Sequence, residues 1–309
     1  MATPKPRLDL VVYVLILGLV LLGSLLKVSS SDRVSIADVA AANPAIISPF
    51  GLLVLRSLML AINLWATILK LKKTENKTVI HMPQTALKRE MRIYIHGPMW
   101  CTFFTVWSWL LQMLFLAGAV ACSAISVYGL DVDVGWKLPT ALWMAYEVSF
   151  ACAVLISFIV KYVLIPGQLA KGLAVNNFFE TQELLMHNCN TLFMAAELAC
   201  NELPFHLHHF PIAALWGLLY VLFSWVWLAA RGVCWYDFLD PTLPFAIKMH
   251  TALIAVLAAF FAIGAGFAAG AASIASPYIR VPLMLAGVAM VAKTGFITGV
   301  PQLPTEKTK

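Results

Sequence analysis

The chain is a succession of long apolar runs separated by short polar stretches. The runs cover about 10–26, 45–69, 99–128, 139–165, 181–203, 209–230, 246–270 and 280–300. Crossing a hydrocarbon core of ~30 Å takes ~20 apolar residues in helical form. The pattern therefore predicts an all-α, polytopic helical membrane bundle with about seven to eight membrane segments. The run at 181–203 carries Glu183, His187, Asn190, Glu197, Asn201 and Glu202, so it either spans or is re-entrant among other helices. Arg56 interrupts the second run, and Arg280 and Lys293 fall within the last. The first run follows Lys5 and Arg7 and has no small-x-small cleavage pattern, so it reads as an uncleaved anchor. Three regions follow: an N-terminal anchor and polar connector over 1–44, a membrane-embedded bundle over 45–270, and a C-terminal membrane segment and tail over 271–309.

Composition removes the soluble alternatives. Of 309 residues, 61% are hydrophobic and 12% charged, with a mean hydropathy of +0.85. Soluble domains carry ~25% charged residues. A soluble enzyme, a disordered chain, a collagen-like repeat and a disulfide scaffold are all excluded. The six cysteines lie in apolar runs without a CxxC pair and read as small buried hydrophobes.

The net charge of +6 reports loop orientation rather than nucleic-acid binding. With the N-terminus inside and every run spanning, the inner loops hold Lys5, Arg7, the basic residues of 70–98, Lys161, Lys171, Arg231, Lys248, Lys307 and Lys309. The outer loops hold only Lys27, Arg33, Lys137 and Arg280. The sequon Asn76-Lys77-Thr78 then falls inside, where glycosylation does not occur, and reads as a chance match.

Polar groups cost ~2.5–3.5 kcal/mol at the centre of a membrane helix on insertion scales, so each calls for a reason. Glu183, His187, Asn190, Met194, Glu197 and Asn201 recur at steps of three and four, which places them on one helical face. Such a stripe faces the bundle interior or a wet cavity; interhelical hydrogen bonding and a functional site both account for it. A second stripe comprises Thr102, Thr105, Ser108 or Trp109, and Gln112. Gln112 is its most telling member, because a primary amide in lipid needs a partner. Thr105 and His187 each lie six residues into their runs, counted from the inner side. At ~1.5 Å per residue both sit ~9 Å below the interface, where a hydroxyl and an imidazole could pair as nucleophile and base.

Other polar positions have simpler readings. Glu147 either lines a cavity or is neutralised by protonation. His206, His208 and His209 form a tract of a kind that can bind zinc. No cysteine or carboxylate pattern around them completes a ligand set, so the tract reads as an interfacial loop and no metal is expected. His250 and Thr251 are candidate cavity-lining residues. No cofactor motif is legible.

Three blocks carry a resemblance. One is Thr105-Val106-Trp107-Ser108-Trp109-Leu110-Leu111-Gln112, followed by Phe115 and Gly118. Another is Met186-His187 with Glu197 ten residues on, and the last is Trp235-Tyr236-Asp237-Phe238-Leu239, with a similar turn at His208-His209-Phe210-Pro211. Over about 50–265 the chain resembles the androgen-induced-gene family of multi-span membrane proteins, whose known members are threonine hydrolases that cleave fatty acid esters of hydroxy fatty acids. The resemblance implies Thr105 as nucleophile and His187 as the essential histidine. The run at 10–26 and the tail after about 270 have no family counterpart, and Asn188 stands where the family has threonine.

The leading expectation is an intramembrane lipid-ester hydrolase with catalytic Thr105 and His187. Glu183 would orient the imidazole, and Gln112, Asn190 and Glu197 would bind or orient substrate. Its partners would be membrane lipids and a lipid-ester substrate, with no nucleic acid. The alternative is a diverged, non-catalytic lipid-binding or structural subunit, with other membrane subunits as partners. A small-solute or proton transporter using Glu147, Glu183 and Glu197 is a weaker reading, because no repeated halves with broken helices are visible. The resemblance implies the endoplasmic reticulum or plasma membrane; the sequence itself does not separate these from the mitochondrial inner membrane. Charge counting makes a direct prediction. A cysteine introduced as Asn76→Cys should react with an impermeant thiol reagent from the side that holds the N-terminus, and reaction only from the other side would overturn the two-span reading of 10–69.

Overall fold

The computed structural model describes residues 7–28, 32–81, 89–170, 175–274 and 276–293. Lys5, Lys88, Lys171, Lys307 and Lys309 of the charge argument lie outside these residues, as does the part of the last run beyond 293. The helices are α1 (Leu8–Val28), α2 (Ile36–Ala40), α3 (Pro49–Lys72), α4 (Phe104–Val127) and α5 (Lys137–Ile159). A π segment, Val160–Leu164, continues α5 into α6 (Ile165–Ala170). Next come α7 (Thr181–Leu184), a second π segment (Leu185–Cys189), α8 (Asn190–Cys200), α9 (Phe210–Arg231), α10 (Ala246–Ser273) and α11 (Pro277–Val291). Each of the eight apolar runs contains helix in its described part, and among the described residues six helical stretches are long and apolar enough to cross a membrane. The protein is an all-α bundle of the multi-pass membrane type.

One element departs from the expected pattern. The polar stretch 70–98 contains an antiparallel hairpin, β1 (Glu75–His81) paired with β2 (Arg89–Ile95). The β-branched residues Thr78, Val79, Ile80, Ile93 and Ile95 favour strand over helix. The sequon lies in β1.

Local signals set the helix ends. Ser48 accepts a hydrogen bond from the Gly51 N–H at 3.0 Å, and Pro49 occupies the first helical position of α3. Ser35 and Asp38 form a reciprocal capping box on α2. Gly232 ends α9 at φ +70°, a conformation only glycine adopts at little cost. Gly118 permits close approach of α4 and α5, since a Cβ there would collide with the Leu142 side chain.

Alternate connections gather at opposite ends of the bundle. At one end Arg7 donates to the Pro244 carbonyl at 2.9 Å, Lys73 pairs with Glu180 at 2.7 Å, and the Trp100 indole donates to the Lys73 carbonyl at 2.9 Å. At the other end the Asn43 N–H donates to the Cys200 carbonyl at 2.8 Å, and the Arg33 guanidinium lies 4.6 Å from the Trp136 ring centre. The N-terminus and the 70–98 segment thus share an end, the arrangement that charge counting predicts. The helices at the two termini are packed parts of the bundle. Leu10 and Val14 of α1 cluster with Leu218, Trp225 and Ala246, and α11 packs on α8.

A polar ladder runs through the apolar core. Arg56, Asn63 and Lys70 lie seven residues apart on α3 and are all buried. Facing them, Glu183 and Glu197 are also two heptads apart. Lys70 pairs with Glu183 and Arg56 with Glu197, so the two segments run antiparallel in register. Lys70 is therefore a bundle residue, not a loop charge as the sequence reading has it. Arg56 also donates to the Val39 carbonyl at 2.9 Å and to Ser123 Oγ at 2.7 Å, joining α2, α3, α4 and α8. His187, Asn190, Met194, Glu197 and Asn201 are all buried, so the 183–201 stripe faces protein rather than lipid.

Removing one partner of a buried pair leaves a charge without compensation, which costs ~3–5 kcal/mol. Arg56→Ala should therefore lower thermal stability in detergent sharply. Arg56→Met combined with Glu197→Leu should recover most of the loss. Equal stability of Arg56→Ala and wild type would show that the ladder does not hold the bundle.

Candidate functional site

A cavity of about 350 Å³ lies between α1, α5, α9 and α10. Its wall is almost wholly apolar, with Val14, Leu17, Ile156, Leu218 and Leu257 among the lining side chains. The polar groups on it are Tyr13, Thr105, Tyr220, Tyr236 and His250. A volume of this size and chemistry suits an acyl chain or another slender apolar ligand.

Thr105 is the second residue of α4 and half-buried. The segment before it, Gly97–Thr102, is 3-10 rather than α-helix, so Thr105 stands nearer the helix start than a run beginning at Met99 implies. At this position the N–H groups of Phe104 and Thr105 have no acceptor within their own helix. The Tyr236 phenol, from the loop between α9 and α10, lies on the same cavity wall as Thr105, facing the start of α4. Burial pushes this phenol up to about 12, so at neutral pH it keeps its proton and remains a donor.

Two other polar groups on the wall are committed elsewhere. Tyr220 donates to the Thr102 carbonyl at 2.9 Å, and Tyr13 shares a hydrogen bond with Thr251 at 2.7 Å. His250 donates from Nδ1 to the Ala246 carbonyl at 2.7 Å. Its Nε2 is buried without a hydrogen-bond partner among the described residues.

His187 sits in the second π segment, outside the cavity lining, where its backbone carbonyl accepts from Ser157 Oγ. Its Nδ1 lies 3.0 Å from Lys293 Nζ and 3.7 Å from Glu183 Oε2. Lys293 also donates to the carbonyls of Phe178 and Glu183, the latter at 3.1 Å. Lys293 lies just beyond the end of α11 and is buried. A neutral amine has two N–H donors and one lone pair; an ammonium has three donors. Both forms satisfy this site. The neutral amine accepts Nδ1–H and leaves the ring lone pair on Nε2, whereas the ammonium donates to Nδ1 and moves the ring proton to Nε2. Lys293 thereby sets the tautomer of His187.

The other expected site residues are distributed differently. Glu183 bridges Lys70 and the His187 ring. Asn190 Oδ1 accepts from the Thr191 N–H at 2.7 Å and lies 3.2 Å from Ser157 Oγ. Glu197 Oε1 is taken by Arg56 and by Asn201 Nδ2, the latter at 3.0 Å. Gln112 is buried and its Nε2 has no hydrogen-bond partner among the described residues. Of these residues only Thr105 lines the cavity. No hydrogen bond joins Thr105 to His187 among the described residues, but α4 packs on the His187 segment, and the Glu183 charge acts on the Tyr236 phenol. Thr105 with Tyr236, and His187 with Lys293, thus form two neighbouring polar groups at one end of the bundle.

Glu147 belongs to the opposite end. Its Oε2 accepts from His209 Nδ1 at 2.6 Å, and its Oε1 accepts from the His206 N–H at 2.6 Å. The carboxylate missing from the sequence around the histidine tract is supplied from afar, since Asp32 Oδ2 lies 2.9 Å from His208 Nε2.

Sequence reasoning passes over Tyr236, Lys293 and Asp32 as site residues. Tyr236 does stand within the aromatic block quoted above, and Lys293 is conspicuous as a lysine inside an apolar run. Asp32 carries no local signal. Comparisons of the chain with protein-family models, curated proteins and solved structures give no match.

Proposed function

We propose that the protein is an intramembrane lipid-ester hydrolase with Thr105 as nucleophile and His187 as base. The observation that carries this reading is the hydroxyl of Thr105 on the wall of a largely apolar cavity, beside the Tyr236 phenol at the start of α4. A substrate with long acyl chains would enter from the bilayer and place its ester at Thr105. Thr105 Oγ attacks the ester carbonyl carbon while His187 Nε2 takes its proton. The Tyr236 O–H donates to the developing oxyanion. Collapse breaks the bond to the leaving alkoxide, which receives the proton from His187, and water then hydrolyses the acyl-threonine.

Lys293 positions the base in this scheme. The base must present a lone pair on Nε2, which requires the amine to accept from Nδ1–H. The second reading is a non-catalytic lipid-binding subunit. It is favoured by the seating of His187 outside the cavity lining. Such a subunit would co-purify with partners in fixed proportion.

Thr105→Ala and His187→Ala should each abolish hydrolysis of fatty acid esters of hydroxy fatty acids, and the double variant should lose little more, since the pair acts as a unit. Thr102→Ala, one turn earlier, should keep activity and labelling by a fluorophosphonate probe. Labelling that survives Thr105→Ala would sink the assignment. Lys293→Met should lower the rate while leaving the protein folded; an unchanged rate would remove Lys293 from the mechanism.

A further inference from the structure

We propose that Asp32, His208 and His209 form a zinc-binding site at the end of the bundle opposite Thr105. Asp32 Oδ2 lies 2.9 Å from His208 Nε2 and 3.5 Å from His209 Nε2, and the three atoms all fall within 4.8 Å of one another. Tetrahedral zinc with ligands at ~2.0–2.1 Å holds neighbouring donor atoms ~3.3 Å apart. The observed separations bracket that value.

The second observation is His209 itself. Its side chain is 1% exposed, and among the described residues its Nε2 makes no hydrogen bond, with Asp32 Oδ2 3.5 Å away on the side of the Asp32–His208 pair. Leaving a buried ring nitrogen unsatisfied costs ~1–3 kcal/mol, which a metal bond would remove. The opposite ring nitrogen is already prepared. Nδ1–H donates to Glu147 Oε2 at 2.6 Å, which fixes the tautomer with the lone pair on Nε2. A carboxylate behind a ligating histidine is the usual supporting arrangement of zinc sites. The Trp143 ring meets His209 edge-on at 4.7 Å and holds the imidazole in place.

The donor set selects the metal class. Two imidazoles and one carboxylate suit zinc, whereas calcium and magnesium take oxygen ligands almost exclusively. Two carboxylates, Asp32 and Glu147, balance the two charges of the ion across two neutral imidazoles. His208 is 53% exposed on its side chain, so the fourth position opens to solvent. The ion would tie the connector after α1 to the start of α9 and, through Glu147, to α5. A metal here is a clamp on the bundle end, independent of any chemistry at Thr105.

The test uses the full-length protein in detergent, stripped with a chelator and reloaded with zinc alone. Wild type should bind one zinc per chain by elemental analysis, and zinc should raise its thermal midpoint. His208→Ala, at the exposed ligand, should lose the ion and the thermal shift while remaining folded. Glu147→Gln should weaken zinc by about 10–100-fold in a competition titration. His206→Ala should bind as wild type does. Cobalt in place of zinc should show the intense visible bands of a tetrahedral site. A wild type that binds no zinc, or a His208→Ala variant that binds it as tightly as wild type, would overturn the proposal. So would recovery of iron as the tightly held metal.

Discussion

The antiparallel ladder between α3 and the α7–α8 segment is the constraint on which the remaining structure depends. Burying two cations and two carboxylates in an apolar bundle is unfavourable unless each charge meets its partner. The equal two-heptad spacing of Arg56 and Lys70 on one side and Glu197 and Glu183 on the other allows both pairs to close in one register. A shift by a single turn would leave charges unpaired in the core. The Arg56 guanidinium also takes the Val39 carbonyl and Ser123, so the same register locates α2 and α4. Fixing α4 fixes the position of Thr105, and fixing the α7–α8 segment fixes His187.

The ladder also explains why so polar a helix can lie inside the bundle. Glu183, His187, Asn190, Glu197 and Asn201 share one face, and that face meets α3, α5 and the chain after α11 rather than lipid. Within it the labour is divided. Glu197 and Asn201 belong to the Arg56 cluster. Glu183 and His187 lie at the other end, where Lys70 and Lys293 surround them. The π segment at Leu185–Cys189 falls at this junction, and π segments are frequent at functional sites.

The two ends of the bundle carry different chemistry. One holds a hydroxyl and a phenol on the wall of an apolar cavity, with a lysine-paired imidazole nearby. The other holds three imidazoles and two carboxylates around a point between chain segments far apart in sequence. Both rely on side chains buried deeply enough that every hydrogen-bonding group must be accounted for. In the first the account closes through Lys293, and in the second it leaves His209 Nε2 open.

The sequence by itself determined the all-α membrane architecture and the shared face of the 183–201 stripe. These follow from hydropathy and helical period, which are properties of local sequence. It also singled out Thr105 and His187, through their polar stripes and a family resemblance. It missed the β hairpin, because a polar stretch between apolar runs reads as loop until strands pair. Tertiary structure decided everything that depends on which face meets which. It took Lys70 out of the loop and paired it with Glu183, brought Lys293 to His187 from more than a hundred residues away, and placed Tyr236 beside Thr105. It carried Asp32 across the chain to a histidine tract that lacked a carboxylate. Each of these contacts joins residues with no periodic relation in the chain, and only the packing register of the helices creates them.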